Sequence, residues 1–417
     1  MTSGMISRPL HPAIRPTFFG IASLLIGMTT VIKVNIQGEI SIAELLLPVA
    51  GFAALFARGA GSVFRLKTFW LLIAAMLLML SGYVVSDLIR DTPEAQSLRG
   101  WGRGLVLLSD IVFLGLVIAI DRRNLWWFAA GFGAGGVLYL RLVMNLPLPI
   151  WKHGYAEYMT VGFAAFAYFL PPRIAAIGFA VLAAMSIYWD FRIHSAFCLL
   201  LAGTLWYRGD VNWRNSRRAR IVPYVVVISL VLLAVLASVK FTESDYSSQR
   251  RASSDRGRSF GLTFGIEAIV NSPLIGYGSW GQSAELMQIQ RNIARSSGLP
   301  LDDEILSGST MVTHSQILQS WVEGGLLGMV FFLVLGGLLI CRARHLILVR
   351  PLDALSPILL YYLFCGGWQL AMSPYSAVSR PQIALSTVLI LVLALEQAGL
   401  RRAAKANRAI GRRPLQQ

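Results

Sequence analysis

Ser253-Ser254-Asp255-Arg256-Gly257-Arg258-Ser259, the turn Pro273-Leu274-Ile275-Gly276-Tyr277-Gly278-Ser279-Trp280 and the tetrad Thr313-His314-Ser315-Gln316 all lie in one polar stretch, residues 241–314, between two apolar runs. The rest of the chain reads as scaffold for this stretch. With 55% hydrophobic and 14% charged residues in 417, and a mean hydropathy of +0.61, it has too little polar surface to cover its apolar content in water. Runs near the roughly 20 apolar residues that cross a bilayer recur almost end to end. They imply an all-α polytopic membrane protein, a single transmembrane domain over residues 1–417. The first run lacks the short apolar core and small-residue cleavage site of a removable signal, so the first span is expected to stay.

Candidate spans are 16–34, 40–57, 68–86, 104–120, 125–143, 155–171, 174–189, 194–207, 221–239, 316–340, 355–372 and 382–397, about twelve on this reading. The polar stretch is then one large loop between the ninth and tenth. A net charge of +16 would suggest nucleic acid in a soluble protein. Here the charge sits in short connections: Arg58 to Lys67, Arg122-Arg123, Arg208 to Arg220, Arg342 to Arg350, and the tail from Arg401. With Arg8, Arg15 and Arg173 these hold 22 of the 37 Lys and Arg on one face, which the positive-inside rule makes cytoplasmic. Both termini fall on that face and no nucleic-acid partner is expected. The polar loop, the loop 87–103 and the turns at 145–153, 190–193 and 373–381 fall on the opposite face. Cys198, Cys341 and Cys365 have no paired spacing in the polar loop, so neither a disulfide nor a metal site is expected.

Within the polar stretch, 259–271 places Phe260, Phe264, Ala268 and Val270 near helical spacing and is closed by Asn271-Ser272-Pro273, which predicts an amphipathic helix on the membrane surface. Ala284 to Arg295 predicts another. His314 stands where the loop enters the next span. A neutral imidazole there could take a proton from a hydroxyl nucleophile, and the alternative is an interfacial histidine satisfying its own helix end. His194 is the reserve. Arg256 and Arg258 offer guanidinium forks matched to phosphate oxygens, with a basic loop meeting lipid head groups as the alternative. Arg192, between apolar spans, reads as functional or as paired with Asp190. Arg90, Arg99, Arg103 and Arg141 are further contributors to an anion pocket. Gly276-Tyr277-Gly278 is a tight turn whose amides could cradle an oxyanion. Gly131, Gly133 and Gly136 match a dinucleotide-binding spacing, but inside an apolar helix, where close helix packing explains them better.

Taken together, Arg258, then Pro273-Leu274-Ile275-Gly276-Tyr277-Gly278 fifteen residues on, then His314-Ser315 followed by Leu318, Glu323, Gly325 and Gly328, resemble the signature region of the O-antigen ligase and Wzy-type polymerase superfamily. The resemblance implies a GT-C-like, metal-independent, inverting membrane glycosyltransferase without a cofactor, in the bacterial inner membrane with its active site facing the periplasm. It implies a glycan donor linked to undecaprenyl diphosphate and an acceptor that is a second lipid-linked glycan or a lipid A core. Carried over by position, His314 matches the essential histidine, Arg258 the loop arginine and Arg192 the arginine between middle spans, with Arg256, Gly276, Gly278, His194 and Glu323 in support. The chemistry agrees, since hydroxyl attack on an anomeric carbon needs a base and charge stabilisation for a departing diphosphate. The rival class is a transporter or a flippase of lipid-linked oligosaccharides, which repeated halves and mid-span charges would favour.

Overall fold

Helices of unequal length carry the chain, and two clusters of polar side chains, one at each end of the bundle, tell its ends apart. The computed structural model describes residues 17–35, 38–147, 150–208, 245–281, 283–296, 313–376 and 379–410. In chain order the elements are α1 (Phe18–Met28), a hairpin of β1 (Lys33–Asn35) and β2 (Glu39–Ser41), α2 (Ile42–Leu55), α3 (Lys67–Ile89), α4 (Glu94–Ile120) and α5 (Arg123–Leu138). There follow α6 (Ala156–Phe166), α7 (Pro172–Tyr188), α8 (Arg192–Arg208), α9 (Asp245–Asn271), α10 (Ala284–Ser296), α11 (Gln316–Gly328), α12 (Val330–Arg344), α13 (Ser356–Met372) and α14 (Arg380–Ile410).

Among the described residues five helical stretches are long and apolar enough to cross a membrane: Lys67–Ile89, Glu94–Ile120, Arg123–Val143, Val330–Val349 and Arg380–Ala403. Shorter apolar helices are Phe18–Met28, Ile42–Leu55 and Pro172–Tyr188. The chain is thus a helical, multi-pass membrane protein, and among the described residues some of the expected spans are shorter or interrupted. The expected span 155–171 is an 11-residue helix that passes into a single 3-10 turn before Pro171-Pro172, because proline cannot continue the ladder. The expected span 316–340 is kinked inside α11 at Gly325, with φ 65°, and is divided from α12 at Met329. The loop 87–103 is helical from Glu94, which puts Arg99 and Arg103 on α4. The expected span 221–239 lies outside the described residues.

At one end of the bundle Arg350 pairs with Asp353 (2.6 Å) and Glu396 (2.8 Å), Arg122 with Glu396 (2.7 Å), and Arg208 donates to the Leu346 carbonyl (2.8 Å). Arg122, Arg208 and Arg350, from three of the basic connections read from the sequence as one face, meet here. At the other end the hairpin, paired antiparallel with Val34 opposite Ile40, leads into α2 through a capping box. Ser41 Oγ accepts from Glu44 N (3.2 Å) while Glu44 Oε2 accepts from Ser41 N (2.6 Å), satisfying two helix-end donors at once. Arg380 then clamps the hairpin to the start of α14, donating to Glu44 Oε1 (2.7 Å) and the Glu39 carbonyl (2.6 Å). The apolar core between the ends includes Phe69, Ile111, Phe179, Phe331 and Leu389. Gly133 packs against α6 so closely that a Cβ would lie 2.3 Å from the Gly162 Cα, which accounts for the glycine spacing on α5 by helix packing.

Candidate functional site

The polar stretch folds onto the second end of the bundle through α9. Its Phe260, Phe264 and Ala268 recur every fourth residue and are buried, the last two in a small satellite core with Tyr277, Leu286 and Val322. Val270, expected on this face, is instead exposed with Leu262, Ile266 and Leu274 on a second apolar stripe. The helix stops where expected, at Asn271, before Ser272-Pro273.

The turn 273–280 interlocks with the kinked end of α11. Gly325, in the left-handed region, ends the helical ladder and frees the carbonyls of Val322 and Glu323. Tyr277 N donates to the first (2.8 Å) and Gly278 N to the second (3.1 Å), while Leu326 N returns a bond to the Leu274 carbonyl (3.2 Å). Gly276 N donates to Ser86 Oγ (2.9 Å), and Ser279 N to Asp87 Oδ1 (2.6 Å). The expectation that Gly276 and Gly278 present free amides to an oxyanion is therefore not met, because each amide already serves this clasp. A Cβ at Gly276 would lie 2.0 Å from the Glu323 carbonyl oxygen, backbone against backbone. Gly276→Ala should lower stability by about 1–3 kcal/mol, the usual cost of overpacking, which the thermal unfolding midpoint of the detergent-solubilised protein would register. An unchanged midpoint would mean the clasp yields freely.

Arg90 fastens the turn from α3. Its Nε donates to the Gly276 carbonyl (3.1 Å), one terminal nitrogen pairs with Glu285 (2.8 Å), the other donates to Ser272 Oγ (2.8 Å), and the guanidinium sits 4.9 Å from the Tyr277 ring centre. With its donors engaged this way, Arg90 is a strut and not part of an anion pocket.

Beneath the turn lies a buried ion pair that sequence reasoning did not assemble. Glu323, fully buried, pairs with Arg103 of α4, accepts from Tyr83 Oη (2.6 Å) and accepts from Gln319 Nε2 (3.1 Å). Arg103 donates to the Tyr375 carbonyl (3.1 Å) and lies 4.3 Å from the Tyr375 ring centre and 5.0 Å from that of Trp280. Gln319 Oε1 accepts from Tyr375 N (2.7 Å). The residues tie α11 to α3, α4 and the segment after α13. Gln319 and Glu323, four apart, share one face of α11, a spacing that could have been read.

That anchored helix positions His314. Ser315 caps α11 by accepting from Leu318 N (3.3 Å), and its hydroxyl donates to the Leu370 carbonyl (3.0 Å). His314, just outside the helix, is half-buried. Burial, and then the charge of nearby Arg258, hold its imidazole below the usual histidine range. On either side, Thr313 Oγ1 and both amide atoms of Gln316 are buried without a hydrogen-bond partner. Buried polar groups are rarely left so, which sets these two residues flanking His314 in the sequence apart from the apolar core. A neutral imidazole beside a guanidinium is an arrangement able to accept a proton next to a developing anion.

The other expected residues stand on α8 and α9. Arg256 sits on α9 with Arg258, and its side chain lies outside the described residues. Arg192 starts α8, where its Nε donates to Asp190 (3.2 Å) and Nη2 is buried without a hydrogen bond. His194 is buried deeper on α8, its ring nitrogens 3.1 Å from Thr160 Oγ1 and 2.9 Å from Ser186 Oγ, a pairing that leaves it no proton-transfer position. Among the described residues no group of three or more His, Cys, Asp or Glu converges, and Cys198, Cys341 and Cys365 are free.

A family model described as O-antigen ligase matches residues 159–333, a stretch that contains Arg192, Arg258, the glycine turn, His314 and Glu323. No curated protein matches the chain. Over that stretch the chain is similar to the O-antigen ligase family, and the match together with the apolar helices supports a membrane protein of the ligase or polymerase type.

Proposed function

We propose that this protein transfers a glycan from undecaprenyl diphosphate to the hydroxyl of an acceptor sugar at the periplasmic face of the bacterial inner membrane, without a metal. The acceptor is a second lipid-linked glycan or a lipid A core. His314 takes the proton of the acceptor hydroxyl as its oxygen bonds to the anomeric carbon. The bond from that carbon to the diphosphate oxygen breaks, and the electron pair leaves with the diphosphate, met by Arg258 with Arg192 and Arg256 in support. Attack opposite the leaving group inverts the configuration. The observation that carries this reading is the nearness of the Arg258 charge to a half-buried His314. It is tested by reconstituting purified protein with lipid-linked glycan and candidate acceptors: transfer by the wild type and its loss in Arg258→Ala support it. Transfer with retained anomeric configuration, or lipid translocation without transfer, would defeat it.

A pH profile follows from the same pair. The base must be neutral, so kcat/KM, which reports the free enzyme, should fall on the acid side at a pH below the ordinary histidine value of about 6.5. In Arg258→Gln the repelling charge is gone, the imidazole binds its proton more readily, and the acid limb should move to higher pH whatever the height of the plateau. A limb that stays in place would separate Arg258 from His314.

A further inference from the structure

A polar recess opens at the same end of the bundle, between the β1–β2 hairpin, α6 and the start of α14. All of its residues lie outside the stretch 159–333 that matches the family model. Its cavity measures about 30 Å³, lined among others by Lys33, Glu39, Phe132, Glu157, Tyr158 and Gln382. That space admits one or two hydroxyl groups or waters and not a whole sugar ring. Glu157 is fixed through Oε2, which accepts from Gln382 Nε2, while its Oε1 is sealed from solvent and has no hydrogen-bond partner. Gln382 is held on its other side by Gln369 Nε2, and Gln369 Oε1 is likewise buried without a partner. Unpaired acceptors of this kind cost free energy that a ligand donor would recover.

The surroundings narrow the chemistry. Lys33, the cation among the lining residues, is neutralised by Glu39 (2.8 Å), so the recess offers no free positive charge to a phosphate or uronate group. The bare acceptor oxygens instead want donors, which sugar hydroxyls or a sugar ammonium supply. Tyr158 and Phe132, their ring centres 4.9 Å apart, form an aromatic wall on which the C–H face of a sugar can rest. Gly136 keeps that wall in place, since a Cβ there would meet the Tyr158 ring at 2.1 Å.

We infer that this recess is a glycan subsite, in which Glu157 and Gln382 receive the hydroxyl or amino edge of a neutral or amino sugar seated at its mouth. The inference rests on the glycosyl-transfer reading for the origin of the sugar, which belongs either to the donor glycan or to the acceptor. The diphosphate and the sugar are then held apart, the anion by arginines from the polar loop and the sugar by a carboxylate and an amide from the opposite side.

The test measures binding, not turnover. The probes are the donor glycan released from its lipid by mild acid, the delipidated acceptor glycan and inorganic pyrophosphate, each presented to full-length protein in nanodiscs and followed by saturation-transfer NMR. One of the two glycans should bind the wild type, and which one does identifies the source of the sugar. Glu157→Ala and Gln382→Ala should weaken that binding about tenfold or more, as the loss of a hydrogen bond to a charged group does, with pyrophosphate binding unchanged. Glu157→Gln, which keeps the shape, guards against misfolding and should weaken an amino sugar more than a neutral one. No glycan binding by the wild type, or equal binding by all three variants, would overturn the subsite and leave a water pocket. His314→Ala should bind the glycan normally. A His314→Ala protein that binds glycan through the recess and still transfers it would instead defeat the transfer mechanism and leave the subsite standing.

Discussion

Replacing His314 with alanine should lower the rate of glycan transfer by about 10²–10⁴-fold, the span expected when a general base is removed. The loss should fall on kcat, with little change in the KM of the lipid-linked donor, because the imidazole serves the acceptor hydroxyl and the donor's diphosphate is held elsewhere. Geometry favours this size of effect over a structural one. His314 lies one residue outside the cap of α11, and Ser315 alone makes the capping bond, so truncating the histidine leaves the helix end intact. It is half-buried and feels the charge of Arg258. The acid limb of the pH profile should vanish in the same variant. A His314→Ala enzyme that retains more than about a tenth of the wild-type rate would remove the histidine from the chemistry.

The sequence shows this part of the site because local patterns carry it. A polar stretch between apolar runs, a fourfold spacing of Phe260, Phe264 and Ala268, and a histidine at the seam of a helix each depend on neighbours within a few residues. The helix expected at 259–271 is indeed part of α9 and the one at Ala284 is α10. What could not be read was the partner of each polar group. Arg103 looked like a loop arginine available to an anion. Its carboxylate lies 220 residues away in Glu323, and nothing in either local pattern names the other. The amides of the glycine turn looked free for the same reason, since the acceptor of Gly276 is the distant Ser86 hydroxyl and those of Tyr277 and Gly278 are carbonyls exposed only when Gly325 breaks α11. That break was hidden too, because Gly324-Gly325 in an apolar run is equally compatible with tight helix packing. Span lengths failed where proline or a left-handed glycine interrupted a run that hydropathy alone treats as continuous.

The buried pair supplies the second large effect, and the two charges are not equivalent. Glu323→Leu leaves Arg103 with a charge it cannot shed, since a guanidinium stays protonated in any protein setting. It should cost about 3–5 kcal/mol, the usual result of stripping one partner from a buried ion pair. Arg103→Met leaves a carboxyl that can take up a proton and donate or accept with Tyr83 and Gln319 still beside it, so its cost should be smaller. Removing both charges together, in the double variant, should restore much of what Glu323→Leu loses, because an apolar pair of similar volume no longer holds an unpaired ion. Thermal unfolding of the four proteins in one detergent measures all three comparisons. Equal costs for the single variants, or costs that simply add in the double, would mean that the pair is solvated and not sealed. Transfer activity should follow stability: low in Glu323→Leu and partly recovered in the double variant, since Glu323 acts by fixing α11 and thereby His314. An inactive double variant that is as stable as the wild type would instead place the Glu323 carboxylate in the reaction itself.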